Sequence, residues 1–123
     1  MKLYAKGAGY ERELLHVLKS KGYAVIRAAS SGGQHTPIDI LAIKKGSMLA
    51  IECKAWAKMP KLDREKVEAM EQWCDKAGAH GFLAWRKVDT HTWHFLPLAD
   101  VSAGDYSEEK WLSWESWVRV FTQ

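Results

Sequence analysis

The stretch PIDILAIKKGSMLAIECK, residues 37–54, decides how the rest of the chain is read. Two short apolar segments, Ile38–Ile43 and Met48–Cys53, flank Lys45-Gly46-Ser47, and this pattern predicts a β-hairpin turning at those three residues. Asp39 enters the first strand, and Glu52 and Lys54 stand near the end of the second. Side chains alternate faces along a strand, so Glu52 and Lys54 share one side while Ile51 and Cys53 take the other. Two carboxylates and a lysine are thus set among apolar residues, where charge needs a compensating reason. A divalent metal ion is a candidate reason.

Upstream, residues 8–21 predict a helix with Tyr10, Leu14, Val17 and Leu18 at helical spacing and Gly22 as its stop. Leu15 and Leu18 lie one and two turns beyond Glu11, which places Glu11 at the edge of the apolar stripe. Glu13 and Lys19 fit the opposite, solvent-facing side. Glu11 therefore either pairs with Arg12 or another basic residue, or belongs to a site; spacing leaves both open. Tyr23–Ala29 predicts the first strand, followed by the polar, glycine-rich segment 30–36. That segment is either a plain connector or a flap that orders on a ligand.

Downstream, a lysine-rich connector holds Trp56, for which packing against the next helix is favoured over stacking on a base. Asp63 is the expected N-cap of a second helix running to about Ala77, with Leu62 and Val67 as a hydrophobic staple. Val67, Met70, Trp73 and Cys74 form its buried face, and Gly78 ends it. Arg64 and Lys66 in its first turn oppose the helix macrodipole, which suits a nearby phosphate or simple solvation. Gly81–Arg86 and Thr92–Leu96 predict two more strands joined through Asp89-Thr90-His91. Ser107 is expected to cap a last helix with Trp111, Trp114, Val118 and Phe121 as its stripe. The order predicts an α/β domain over residues 1–123, with a central mixed β-sheet of about five strands flanked by helices.

Length and composition agree with one soluble domain: 123 residues, 47% hydrophobic and 27% charged. No apolar run approaches the roughly 20 residues of a membrane span, and the N-terminus lacks the apolar region of a secretory signal. Cys53 and Cys74 read as free thiols in a reducing cytoplasm. Residues 1–66 carry 13 Lys/Arg against 6 Asp/Glu, whereas residues 67–123 carry 5 against 9. The basic half also holds Asp39, Glu52 and Lys54, which favours an anionic polymer such as nucleic acid as partner. His16, His35, His80, His91 and His94 show no zinc-ligand spacing. Cys53 faces away from Glu52 and Lys54, so a thiol nucleophile is not expected.

Phosphodiester hydrolysis needs an activated water and stabilisation of the charge that develops on phosphorus and leaving oxygen. Carboxylate-held Mg²⁺ supplies both, and a nearby lysine can orient the water or neutralise charge. The predicted hairpin brings Asp39 alongside Glu52 and Lys54, and the Cys53 carbonyl is a further candidate oxygen ligand.

An Asp followed on the next strand by Glu-x-Lys is also the pattern of the PD-(D/E)xK nucleases. More narrowly, KGAGYERELL (6–15), GYAVIRAASSG (22–32), PIDILAIKKG (37–46), AIECKAW (50–56) and GAHGFLAWR (78–86) resemble the archaeal-type Holliday junction resolvases. The resemblance implies a restriction-endonuclease-like fold and a Mg²⁺ site, with Mn²⁺ as a substitute, formed by Glu11, Asp39 and Glu52. It implies Lys54 as catalytic, Ser31 as required, and Arg12 and Arg27 near the DNA path. Lys6, Ser30, Lys58, Lys61, Arg64 and Lys66 are further expected DNA contacts. The implied partners are four-way junction DNA and a second copy of the chain, with no membrane and no small organic cofactor. The implied reaction is paired, symmetric incision leaving 5′-phosphate and 3′-hydroxyl ends, in a prokaryotic or virus-infected prokaryotic cell. Proline precedes Asp39 by two residues rather than one, a departure from the strict motif. The helix expected to carry Trp111, Trp114 and Trp117 has no aligned counterpart and is either a dimer interface or core. A nuclease acting on duplex or other branched DNA, and a non-catalytic DNA-binding subunit, are the alternative readings.

Overall fold

The computed structural model describes residues 2–28 and 36–123, with side chains from residue 9 onward. The elements run α1 (Lys2–Ser20), β1 (Ala24–Arg27), β2 (Ile40–Lys44), β3 (Ser47–Trp56), α2 (Arg64–Ala77), β4 (His80–Lys87), β5 (Thr92–Pro97), α3 (Leu98–Ser102), a 3-10 turn at Glu108–Lys110, β6 (Leu112–Ser113) and α4 (Trp114–Phe121). The six strands form one sheet in sequence order, β1-β2-β3-β4-β5-β6. Only the β3–β4 pairing is parallel among the described strands, and α2 is the crossover that makes it so.

The hairpin forms as its sequence requires. Lys45 and Gly46 both have positive φ, 50° and 87°, the conformation of a two-residue turn whose twist suits a hairpin. Ser47 is already paired with Lys44, so the turn is shorter by one residue than the spacing implied. Strand alternation then divides the core in two. Leu49, Ile51, Phe82 and Ala84 face α1 and α4, joined by Leu14, Leu18 and Trp117. Ala50 packs with Met70 and Cys74 of α2, and Leu83 packs with Val67 of α2 and Val101 of α3. Leu62 packs against that second side with Val67, as the staple predicts. Asp63 caps α2, its side chain accepting from the Lys66 N–H, and Gly78 closes the helix with φ 71°.

Several expectations are corrected. Helix α1 begins at Lys2, ahead of Gly7 and Gly9, because two glycines among good helix formers do not outweigh the turns on either side. Glu13 is exposed, as its spacing implies, and in addition accepts from Trp93 Nε1 at 2.9 Å and meets Arg86 at 3.3 Å. Trp56 is 45% exposed and is not part of the apolar clusters packed on α2. The last helix starts at Trp114, capped by Ser113 through the Ser116 N–H, and Trp111 lies before it. Ser107 is not its cap, since its hydroxyl donates to Asp105 Oδ1 at 2.6 Å. Trp117 is fully buried and stacked on Phe95, with centroids 3.9 Å apart, so it is core rather than interface. Trp111 packs on the opposite side of the sheet, edge-on to Trp85.

Gly81 is the most crowded of the described glycines and lies where the sheet meets α2 and α3. A Cβ there would stand 2.8 Å from Leu98 Cδ2, 3.1 Å from Leu98 Cβ and 3.0 Å from Cys74 Sγ. Gly81→Ala is expected to destabilise the fold by about 1–3 kcal/mol through overpacking. Urea unfolding measures it, and an unchanged midpoint would show that α2 and α3 yield at no cost.

Candidate active site

The site is built where β2 parts from β3. Ile40 is registered opposite Ile51, yet the Asp39 N–H also donates to the Ile51 carbonyl, at 2.9 Å. Two residues of one strand thus face one residue of the other, which is the geometry of a β-bulge. The side-chain faces show the same shift: Ile40 and Ala42 pack with α1, whereas Ile38 packs with α2. Asp39 occupies the crossover between those faces. Its Oδ2 accepts from the Cys53 N–H at 2.8 Å, and the residue is only 3% exposed. The carboxylate thereby takes the place of a strand partner for Cys53. Cys53 directs its carbonyl to the same edge of β3, because N–H and C=O of one strand residue share a direction.

Glu52 reaches the site from the α2 side of β3 and is 4% exposed. Its Oε2 lies 3.3 Å from Lys66 Nζ and 3.8 Å from Lys54 Nζ. Its Oε1 is buried with no hydrogen-bond partner among the described residues. Burial first, then the Asp39 carboxylate, push the Glu52 pKa from 4.5 up to about 8 against the pull of both lysines. Glu11 arrives from α1, on the other face, and accepts from Arg27 Nε at 2.8 Å. Its pKa is also raised, by burial and then by Asp39, with Arg27 opposing. The Cys53 side chain packs on the core, and burial holds its thiol well above the ordinary range, so it offers no thiolate.

Glu11, Asp39, Glu52, Cys53 and Lys54 all line one cleft of about 420 Å³, together with Trp56, Lys61, Leu62, Asp63 and Lys66. Lys54 Nζ also lies 5.5 Å from the Trp56 ring centroid, which holds the ammonium on the cleft side of β3. No three acidic, His or Cys groups already converge as a ready cage among the described residues. The reason is visible: Arg27 draws Glu11 and Lys66 draws Glu52. The donor set nevertheless fits a hard divalent cation, being all oxygen, and Glu52 Oε1 is an acceptor left without a donor among the described residues.

The expected DNA contacts are divided. Arg12 and Lys58 are exposed, Lys61 lies at the rim over the Tyr106 ring, and Arg27 is committed to Glu11. Arg64 is directed away from the cleft, to Glu68, Glu71 and the Ser102 carbonyl. Lys66 belongs to the carboxylate site itself rather than to an outer surface. Ser30 and Ser31 lie outside the described residues, as does the side chain of Lys6. Sequence reasoning missed Asp63 and Trp56 as parts of the cleft wall. The capping position of Asp63 carried that signal, since it fixes where the first turn of α2 meets β3.

Residues 2–110 match the family described as archaeal Holliday junction resolvase (Hjc). A crossover junction endodeoxyribonuclease Hjc of Methanocaldococcus jannaschii is 37% identical over 82 residues, covering 66% of this chain and 59% of that protein. The protein of the same name from Sulfolobus acidocaldarius is 35% identical over 107 residues, covering 82% of this chain and 74% of the relative. Among solved structures, Archaeoglobus fulgidus Hjc superposes with a TM-score of 0.65 at 33% identity, covering 76% of this chain and 74% of that one. The mixed sheet flanked by helices is thus the fold of that resolvase, with six strands rather than about five. By the extent of the match and the level of identity, the chain belongs to the archaeal Holliday junction resolvase (Hjc) family.

Proposed function

We propose that this chain, as one nuclease domain over residues 1–123, is a metal-dependent endonuclease resolving four-way DNA junctions. It acts as a symmetric homodimer in the cytoplasm and makes paired incisions that leave 5′-phosphate and 3′-hydroxyl ends. The observation that carries the reading is the gathering of Glu11, Asp39, Glu52 and Lys54, from three separate stretches of chain, into one cleft. Glu11, Asp39, Glu52 and the Cys53 carbonyl would hold Mg²⁺, or Mn²⁺ in its place. Once bound, the ion would supply Lewis acidity toward the phosphate oxygen and make a bound water more acidic. Asp39 fixes the main chain at Cys53, so the carbonyl and the flanking Glu52 and Lys54 side chains keep one orientation. Lys54, held between Glu52 and the Trp56 ring, carries positive charge beside the position of the scissile phosphate. Ser31 is assigned a supporting role in the same site, and Arg12, Arg27, Ser30 and Lys6 a place along the DNA path. Membership in the family supports these assignments.

The decisive test uses a synthetic four-way junction and a linear duplex, each in Mg²⁺ and in EDTA. Cleavage confined to the junction, with Mg²⁺, and in symmetric pairs is expected. Glu52→Gln should lower the cleavage rate by about 100-fold or more while junction binding is retained. Equal cutting of both DNAs would favour the duplex-nuclease reading, and unchanged activity in Glu52→Gln would remove the catalytic assignment.

Phosphate contacts release counterions, so binding should weaken with salt. Replacing Lys58 and Lys61 together by Ala is expected to reduce the log–log salt slope by roughly 0.9 per lost phosphate contact. Arg64→Ala, already neutralised by Glu68 and Glu71, should leave the slope unchanged. Fluorescence anisotropy of a labelled junction measures both, and the reverse result places the DNA on the other side of α2.

Metal-free stability has a defined sign. A carboxyl whose folded pKa is raised costs nothing below its unfolded pKa and its full penalty above the folded one. In EDTA, stability should therefore fall as pH rises from 4.5 to about 8, the interval set by Glu52. Glu52→Gln removes the Glu52 share of that slope and should be the more stable protein at the alkaline end, by up to a few kcal/mol. Thermal melts across this range give the comparison; parallel curves for the two proteins would show that the Glu52 charge costs nothing in the fold.

A further inference from the structure

Two lysines compensate Glu52, and only one belongs to the Glu-x-Lys pattern. Lys66 stands on α2, in the first turn, with its N–H held by the Asp63 cap at 2.8 Å. Its ammonium is nearer to Glu52 Oε2 than that of Lys54, 3.3 Å against 3.8 Å. The two lysines are otherwise unlike. Lys54 has the Trp56 ring as a second partner, while the Lys66 side chain has Glu52 as its only ionic partner among the described residues and is 23% exposed.

Charge counting shows what a metal does to this cleft. With all three carboxyls ionised, the state in which they ligate a metal, Glu11, Asp39 and Glu52 supply three negative charges, and Arg27, Lys54 and Lys66 supply three positive ones. A divalent cation added to a neutral set leaves it doubly positive and places like charge beside both lysines. The ammonium with the least to hold it moves first. A lysine also has a long flexible stem ending in a strongly hydrated point charge, so it can exchange one anionic partner for another at small cost.

We propose that Lys66 is a resident counter-ion of Glu52 that the metal displaces and that then engages the DNA backbone phosphate. Resting on the metal-dependent reading above, this makes metal loading and DNA engagement one coupled event. Without metal, Lys66 stays held at Glu52 and is withheld from DNA. With metal, it is released toward the rim where Lys61 already stands. The coupling is reciprocal: phosphate that captures Lys66 also frees Glu52 for the metal.

The test measures Mn²⁺ binding to the full chain without DNA, by calorimetry, for the native protein, Lys66→Met and Lys66→Gln. Both variants should bind Mn²⁺ tighter by roughly three- to tenfold, because no ion pair is broken on binding. Lys66→Arg, which retains the charge, should stay near the native affinity. Junction binding is then compared in EDTA and in Ca²⁺. Lys66→Met should match the native protein in EDTA and bind less tightly than it in Ca²⁺, with a salt slope smaller by about 0.9. Two neutral variants are used so that one folding defect, visible by circular dichroism, does not decide the outcome. Unchanged or weaker Mn²⁺ affinity in both folded variants, or equal loss of junction binding in EDTA and Ca²⁺, overturns the displacement. A native protein that binds no divalent ion overturns the metal-dependent reading instead, and the two failures are thereby told apart.

Discussion

One hydrogen bond, from the Cys53 N–H to the Asp39 carboxylate, sits where the sheet forks, and the site depends on it. Along β2 and β3 the ladder is ordinary, from Lys44–Ser47 to Ile40–Ile51. Beyond it β2 must leave so that a cleft can open, and a departing strand abandons the donors of its neighbour. A buried N–H with no acceptor costs about as much as a lost hydrogen bond. Asp39 supplies the acceptor from a side chain, so β3 can continue straight through Cys53 and Lys54 without its partner strand. The bulge at Asp39 and Ile40 aims the carboxylate along the sheet rather than into either core, which lets Glu11 approach from one face and Glu52 from the other.

The same arrangement concentrates charge where burial makes it costly. Asp39 and Glu52 are nearly inaccessible, and each raises the energy of charging its neighbours. The fold answers with Arg27, Lys54 and Lys66, but leaves Glu52 Oε1 without a donor among the described residues. A structural ion-pair network would close that gap, because an orphaned carboxylate oxygen weakens the fold and a well-packed apolar residue would serve stability better. Local disadvantage of this kind is tolerated where the disadvantaged atom has a ligand to meet.

The legible parts of the sequence are those fixed by local pattern. The hairpin follows from alternation plus Lys45-Gly46, and α2 follows from Asp63, its staple and Gly78. Glu52 and Lys54 follow from that hairpin by parity, whereas the bulge that aims Asp39 leaves no mark in the spacing. Glu11 did not follow: at the stripe edge it could serve either face, and only the family resemblance assigned it to the site. Elements too short to have a period escaped, namely α3 and β6. Ser107 misled because Asp105, two residues earlier, competes for its hydroxyl. Glu13 is exposed as its spacing implies, but its partners were not legible. Its partners Trp93 and Arg86 are distant in sequence, and helical spacing carries no information about which strand lies beneath a helix.

Topology explains why Lys66, and not some other basic residue, stands at the carboxylates. Parallel strands cannot be joined by a tight turn, so the chain leaving β3 must return along α2 before β4 can begin. The N-terminus of that helix is then held near the C-terminal end of β3, where Glu52 and Lys54 lie, and the Asp63 cap fixes its first turn. A residue in that turn lies within side-chain reach of Glu52. Ligand sites gather at the carboxyl ends of parallel strands for this reason. Here a single parallel pair suffices, because the bulge at Asp39 opens the other side of β3 at the same level. One strand thus meets a helix terminus on one face and a departing strand at its edge, and the chemistry is placed between them.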